Sequence, residues 1–229
     1  MANRILLSIT TTNNNDWRAR LQEAKELGVK ELALFPTCLD FEDRQALYSA
    51  LPEFSIENIP FCHLRSDMGV EELDFLVKNY HTKAFNTHME IEYPRVRDWS
   101  KYQKIIFIEF VYHKLDEKEL KEFGGICLDI SHLEDDRLLH RENYEHNLKV
   151  LEKYPIGCNH ISAVRKLSRV DEVGQERFDF HRLDDLSELD YLRGYPEKYF
   201  SPLCAIELEN SIPEQLKVRD YINKIILEK

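Results

Sequence analysis

The sequence predicts a small (β/α)₈ barrel, on three observations. Short apolar runs alternate with amphipathic segments from one end of the chain to the other, the pattern of parallel strands joined by crossover helices. Eight such runs fit into 229 residues, the size of one compact barrel domain spanning 1–229. The run after the first strand reads TTTNNN, and no GxGxxG or Walker A loop occurs anywhere, which weighs against an open dinucleotide-binding or P-loop sheet.

The elements follow in order. Arg4–Thr10 (RILLSIT) reads as a buried first strand, followed by a low-complexity run over Thr10–Asn15. Asp16 is placed to cap a helix over Trp17–Leu27, whose Leu21, Ala24 and Leu27 share a face, and Gly28 stops it. Glu31–Phe35 is the second strand and Phe41–Leu51 the second helix. Asn58–His63 (NIPFCH) is the third strand, followed by a helix over Val70–Tyr80 with Leu73, Leu76 and Val77 inward. Lys83–His88 (KAFNTH) is the fourth strand. Only 15 residues separate His88 from Lys104, and they include Pro94, so the helix after strand four is reduced or missing.

Lys104–Phe110 (KIIFIEF) is the clearest strand, and Leu115–Phe123 a short helix after it. Gly125–Ile130 is the sixth strand, leading to a long helix over Leu138–Tyr154 that Pro155 ends. Ile156–Ile161 (IGCNHI) is the seventh strand. A polar loop follows, then a helix near Leu183–Arg193. Leu203–Glu209 (LCAIELE) is the eighth strand and Pro213–Leu227 the closing helix.

Composition narrows the function classes. Net charge is −11, with 43% hydrophobic and 32% charged residues, which argues against a broad nucleic-acid grip but not against a local basic patch. Five cysteines without a CxxC give neither a disulfide framework nor a zinc ribbon. Most sit in apolar stretches, as reduced core thiols do, and a cytoplasmic protein is expected. MANRILLSIT does not read as a signal peptide, and no apolar run reaches membrane-spanning length.

The chemistry lies at the strand ends, where a barrel of this kind keeps its active site. His63, His88, Glu109, Asp129 with His132, His160, and Glu207 with Glu209 all fall there. Each is a hard or borderline metal ligand. Glu109 stands inside IIFIEF, where a carboxylate costs several kcal/mol, roughly, unless paired, protonated or metal-bound. Asp129-x-x-His132 can converge on one ion as its strand breaks. On the eighth strand Glu207 and Glu209 share a face; Glu207 follows the apolar run directly and is the favoured ligand, with Glu209 at the rim.

Here the chain resembles the xylose isomerase-like barrels, which include sugar isomerases, epimerases and endonuclease IV. The family pattern is a Glu on strand five, Asp-x-x-His on strand six, a His on strand seven and a Glu on strand eight. Glu109, Asp129 with His132 (in CLDISH), His160 and Glu207 stand in those places. The endonuclease IV branch adds a His after strand three, one after strand four and an Asp-x-His after strand seven. His63, His88 and Asp179-Phe180-His181 match in order, whereas the branch's DNA-wedging aromatic finds no counterpart in CHLRSDM.

The resemblance implies a divalent-metal enzyme. One expectation is a multinuclear phosphoester hydrolase with up to three zinc ions held by His63, His88, Glu109, Asp129, His132, His160, Asp179, His181 and Glu207. Glu109 and Glu207 would be its catalytic groups. The other is a sugar or sugar-phosphate isomerase or epimerase with one Mn or Mg ion, in which the same two glutamates move a proton across an enediolate. Arg165, Lys166 and Glu209 are the substrate-binding candidates. The expected partner is a small phosphorylated or sugar substrate or DNA, with no membrane and the oligomeric state open.

Overall fold

The computed structural model describes residues 4–12 and 16–228, Arg4 by its backbone alone. Residues 1–3, 13–15 and 229 lie outside the described residues, and with them part of MANRILLSIT and the three asparagines of TTTNNN.

The parallel sheet is built from β1 (Arg4–Leu6), β2 (Ser8–Thr10), β3 (Ala33–Phe35), β4 (Phe61–His63), β5 (Ala84–His88), β6 (Ile106–Glu109), β7 (Ile126–Asp129), β8 (Ile156–Ile161) and β11 (Leu203–Ile206). β9 (Ala163–Val170) and β10 (Glu176–Phe180) form a separate antiparallel hairpin. The sheet runs β1-β11-β8-β7-β6-β5-β4-β3-β2. Its two ends are successive halves of the single strand read from the sequence, so the sheet curls into an eight-position barrel. The strand is interrupted at Leu7, whose carbonyl accepts the Ala33 N–H at 2.8 Å. The cause of the break is distant in sequence. Gln215 is fully buried, takes the Ser8 N–H on Oε1 at 2.8 Å and donates Nε2 to the Ser8 carbonyl at 3.1 Å. An amide side chain thus does for Ser8 what a neighbouring strand would do.

Among the described residues seven α-helices accompany the strands: α1 (Trp17–Glu26), α2 (Phe41–Ala50), α3 (Val70–Tyr80), α4 (Glu117–Glu122), α5 (Ile130–Leu139), α6 (Arg141–Leu151) and α7 (Ile212–Leu227). Asp16 caps α1 through the Arg18 and Ala19 N–H groups, as expected. Leu21 and Ala24 are buried, but Leu27, beyond the last turn, is 47% exposed. Ser211 and Glu214 form a capping box on α7. Among the described residues no α-helix lies between β5 and β6. A 3₁₀ turn over Ser100–Ile105 and buried Trp99, whose Nε1 donates to the Met68 carbonyl at 2.8 Å, fill that side instead.

Three expectations are corrected. The helix placed at Leu138–Tyr154 is two helices, and the first begins directly at the end of β7, because Asp129 caps it. The loop after the seventh strand is the β9–β10 hairpin, and the helix near Leu183–Arg193 is a 3₁₀ helix over Leu186–Gly194.

Strand alternation sorts the core into two parts. One face of each strand packs outward against the helices, as Leu34, Cys62, Phe85, Ile108, Leu128 and Ile206 do. The other fills the barrel with Leu6, Ala33, Phe35, Phe61, Cys127, Cys158 and Ala205, and Phe107 packs against them. Two residues further along, on the same inner face, Phe61 leads to His63, Phe107 to Glu109, Cys127 to Asp129, Cys158 to His160 and Ala205 to Glu207. The barrel therefore has an apolar floor with a ring of ligand-type side chains above it. Gly157 makes room for that floor: a Cβ there would lie 1.9 Å from the Phe107 ring.

Candidate metal centre

Glu109 is the hub of the ring. It is 1% exposed at the end of β6. Its Oε2 accepts from Asn86 Nδ2 at 2.6 Å and lies 3.2 Å from His63 Nε2 and 3.9 Å from His88 Nε2. Its Oε1 lies 3.3 Å from His160 Nδ1 and 3.5 Å from His132 Nδ1. Glu207, just past β11, brings Oε2 to 3.1 Å from His160 Nδ1.

The ligand atoms fall into groups compact enough for single cations. One is His63, His88 and Glu109; a second is Glu109, Asp129, His160 and Glu207; a third combines Glu109 and His160 with Cys127. Glu109 belongs to all of them. Two imidazoles and a carboxylate make a donor set typical of catalytic zinc, with a coordination position left open. The carboxylate-rich second group suits Mn, Mg or Zn.

The outer imidazoles are held by backbone carbonyls. His63 Nδ1 donates to the Leu64 carbonyl at 3.0 Å, and His132 Nδ1 to the Phe110 carbonyl at 3.0 Å. A carbonyl only accepts, so each Nδ1 carries the proton and each Nε2 faces the cup. This is the outer-shell arrangement that orients metal-binding histidines.

Asp129 has two tasks. Its Oδ1 accepts from Ser131 N at 2.7 Å, Ser131 Oγ at 2.5 Å and His132 N at 3.2 Å, starting α5. Its Oδ2 points into the cup, buried and, among the described residues, without a hydrogen-bond partner. His160 Nε2 is likewise buried without a hydrogen-bond partner among the described residues, and its Nδ1 is shared between the Glu109 and Glu207 carboxylates, with the Phe35 and Phe61 rings packed against the imidazole. Buried polar atoms left unmatched cost about 1–3 kcal/mol each. Three buried carboxylates facing one another, with unmatched ligand atoms between them, are the chemistry that a divalent cation satisfies, and the residues fit one.

The electrostatics agree. Burial works against ionising Glu109, but the imidazoles, His160 foremost, hold its carboxyl well below the usual range. Burial opposes protonation of His160, yet Glu109 and Glu207 pull it well above an ordinary histidine. Burial also opposes ionisation of Glu207, and His160 and His181 bring it down to about 2. His88, with 21% of its side chain exposed at the mouth, is lowered to about 3, chiefly by enclosure of its ring.

The Asp-x-His pair sits on and just beyond β10. Asp179 is 2% exposed and brings Oδ2 to 3.8 Å from His132 Nε2, which is itself 3.5 Å from Asp129 Oδ2. His181 lines the same cavity, about 590 Å³ in volume, as His63, His88, Glu109, His132 and Glu207. All nine ligand candidates therefore gather in the cup or on its wall.

The substrate candidates divide. Glu209 lines the cavity and accepts from Thr12 Oγ1 at 2.5 Å. Arg165 and Lys166 do not line it. The hairpin register jumps from Arg177↔Arg169 to Asp179↔Val164, so the stretch 165–168 of β9 bulges outward. Arg165 then pairs with Asp184 at 2.8 Å and Glu188 at 3.3 Å. Arg65, Arg169 and Arg182 line the cavity instead. Other participants escaped the sequence reading. Asn86 was findable, since it lies two residues before His88 on the inner face of β5. Arg177 and Asp135 carried no local signal.

A parallel barrel with a cup of histidines and carboxylates at the carboxyl ends of its strands defines the class of protein. No protein-family model matches the chain, and no curated protein matches its sequence. Among solved structures, a xylose isomerase-like TIM barrel protein from Mycobacterium smegmatis, crystallised in complex with magnesium, is similar over 97% of this chain and 96% of that one, with a TM-score of 0.51 and 14% identity. A xylose isomerase domain containing protein from Salmonella typhimurium covers 99% of this chain and 97% of its own, with a TM-score of 0.45 and 13% identity. The fold is that of the xylose isomerase-like TIM barrels.

Proposed function

We propose that the protein is a multinuclear metal-dependent hydrolase of phosphoesters, zinc being the preferred metal. The observation that carries this is the sharing of Glu109 between two ligand groups, His63/His88/Glu109 and Glu109/Asp129/His160/Glu207. A one-metal isomerase needs only the second. His132, Asp179 and His181 complete the reading as holders of an outer, third ion.

Divalent cations in such a centre supply Lewis acidity toward phosphoryl oxygen and a water acidified toward neutrality. The protein's own groups do the rest. Glu109 bridges the two ligand groups and is kept ionised by its imidazoles. Asn86 fixes the Glu109 carboxylate from below. Phe35 and Phe61 wall His160 off from solvent. Arg65 and Arg182, at the cavity wall, are placed to take non-reacting phosphate oxygens. The cavity volume of about 590 Å³ fits a small phosphorylated metabolite, and the net charge of −11 favours such a substrate over a long DNA grip.

One observation favours a second reading. The Glu109/Asp129/His160/Glu207 group is sufficient for a single ion, and the solved neighbour of the same fold was crystallised with magnesium. The alternative is a sugar or sugar-phosphate isomerase or epimerase. Assays with Zn²⁺, Mn²⁺ and Mg²⁺ separate the two. Release of phosphate or nitrophenol from mono- and diesters, or nicking of abasic DNA, supports the hydrolase. Aldose–ketose interconversion without any ester hydrolysis overturns it.

A further inference from the structure

One buried guanidinium beside the cup has no place in the chemistry above. Arg177 lies on β10 and is 5% exposed. Its Nε–H is shared between Asp135 Oδ2 at 2.6 Å and Asp179 Oδ1 at 2.7 Å, and its Nη1 donates to the Val111 carbonyl at 3.3 Å. Asp135, on α5 nearly one turn beyond His132, also accepts the Phe178 N–H on Oδ1 at 2.8 Å. One cluster thus ties together α5, the segment after β6 and the hairpin.

The consequence falls on Asp179. One of its oxygens is committed to Arg177, and the other faces His132 Nε2 at 3.8 Å and Arg169 Nη2 at 4.0 Å. Arg169 donates to the Asp179 carbonyl at 3.1 Å and steadies the backbone there.

We propose that Arg177, braced by Asp135, is the positioning residue for the outer cation: it fixes one oxygen of Asp179 so that the other is presented beside His132. This rests on the reading above that His132, Asp179 and His181 hold a third ion. Arg177 acts on that ion in two opposed ways. Its charge repels a cation, and its hydrogen bond orients the ligand. Removing the charge alone tightens binding, whereas releasing Asp179 loosens it, so the sign of the effect separates positioning from simple electrostatics.

The test is a Zn²⁺ titration of the metal-stripped full chain, with ions counted by mass spectrometry and affinities taken from chelator competition. Wild type is expected to hold three ions. Arg177→Gln is expected to weaken the third by about ten- to hundredfold, as loss of an outer-shell partner does, and to leave the first two unchanged. Arg177→Lys, which keeps the charge, recovers part of the loss. Asp135→Glu, which keeps the carboxylate charge but displaces the brace on Arg177, weakens the third ion in the same direction. If Arg177→Gln does not fold, the other two variants decide. Three ions of unchanged or tighter affinity in the variants overturn the positioning role alone. Fewer than three in wild type overturns it together with the three-ion reading.

Discussion

His63 Nε2 stands 3.2 Å from Glu109 Oε2, with the His63 Nδ1 proton committed to the Leu64 carbonyl. The face turned to Glu109 is therefore a ligand face, and the same carboxylate meets His160 on its other oxygen. Glu109 thereby joins the outer pair of histidines to the inner carboxylate group, and its removal should dismantle both. Glu109→Gln is expected to lower the bound zinc by two ions or more and activity by at least about hundredfold, beyond the usual effect of an outer-shell change. Metal analysis beside phosphoesterase assays checks this; full metal content in Glu109→Gln would separate the two groups.

The mouth should discriminate among arginines. Arg165 does not line the cavity and pairs with Asp184 and Glu188, so Arg165→Ala should leave KM within about twofold, in the range of surface ion pairs. Arg65 and Arg182 line the cavity. Losing one charge-assisted hydrogen bond of about 1.5–3 kcal/mol raises KM for a phosphorylated substrate roughly ten- to hundredfold. Steady-state kinetics on the three alanine variants provides the comparison.

Gln215 should matter for stability far more than a helix glutamine normally does. It makes hydrogen bonds to Ser8 N, Ser8 O, Leu208 O and Asn210 O from a fully buried position. Gln215→Leu strands these groups and should cost about 3 kcal/mol or more. Urea denaturation measures it, and a change under about 1 kcal/mol would mean that the strand break is held by other contacts.

Asp136 gives the stability a pH dependence. Burial raises its carboxyl to about 6, against which the Asn147 and Asn143 amides pull only in part. A carboxyl raised in the folded state loses stability as pH climbs from its unfolded value to its folded one. The loss here runs between about pH 4 and pH 6 and amounts to at most about 3 kcal/mol. Asp136→Asn should therefore stabilise at pH 7 and leave stability near pH 4 almost unchanged. Denaturation midpoints at the two pH values show whether the difference exists.

The barrel was legible because parallel strands buried on both faces write continuous apolar runs, and the candidate ligands were legible because several of those runs carry a histidine or carboxylate at or near their carboxyl ends. KIIFIEF and GGICLDISH show both features. What stayed hidden depends on partners far along the chain. The break at Leu7 follows from Gln215, and the orientation of Asp179 from an Arg177–Asp135 pair that joins a hairpin to a helix. The hairpin itself is mostly polar and bulged, so RKLSRVDEVGQERFDF carries little alternation to mark it. The early start of α5 was missed because ISHLEDDRLL has no apolar stripe. That helix is fixed by its Asp129 cap and by burying its own acids, Glu134, Asp135 and Asp136. Arg165 and Lys166 were misplaced because sequence alone cannot say on which side a bulge throws its residues.

The most direct measurement is a crystal structure of the zinc-loaded protein with anomalous data at the zinc edge. At least two anomalous peaks are expected, about 3.5–4 Å apart as in two-metal sites, with Glu109 contacting both. A single peak held by Glu109, Asp129, His160 and Glu207, with His63 and His88 free of metal, would contradict the multinuclear centre.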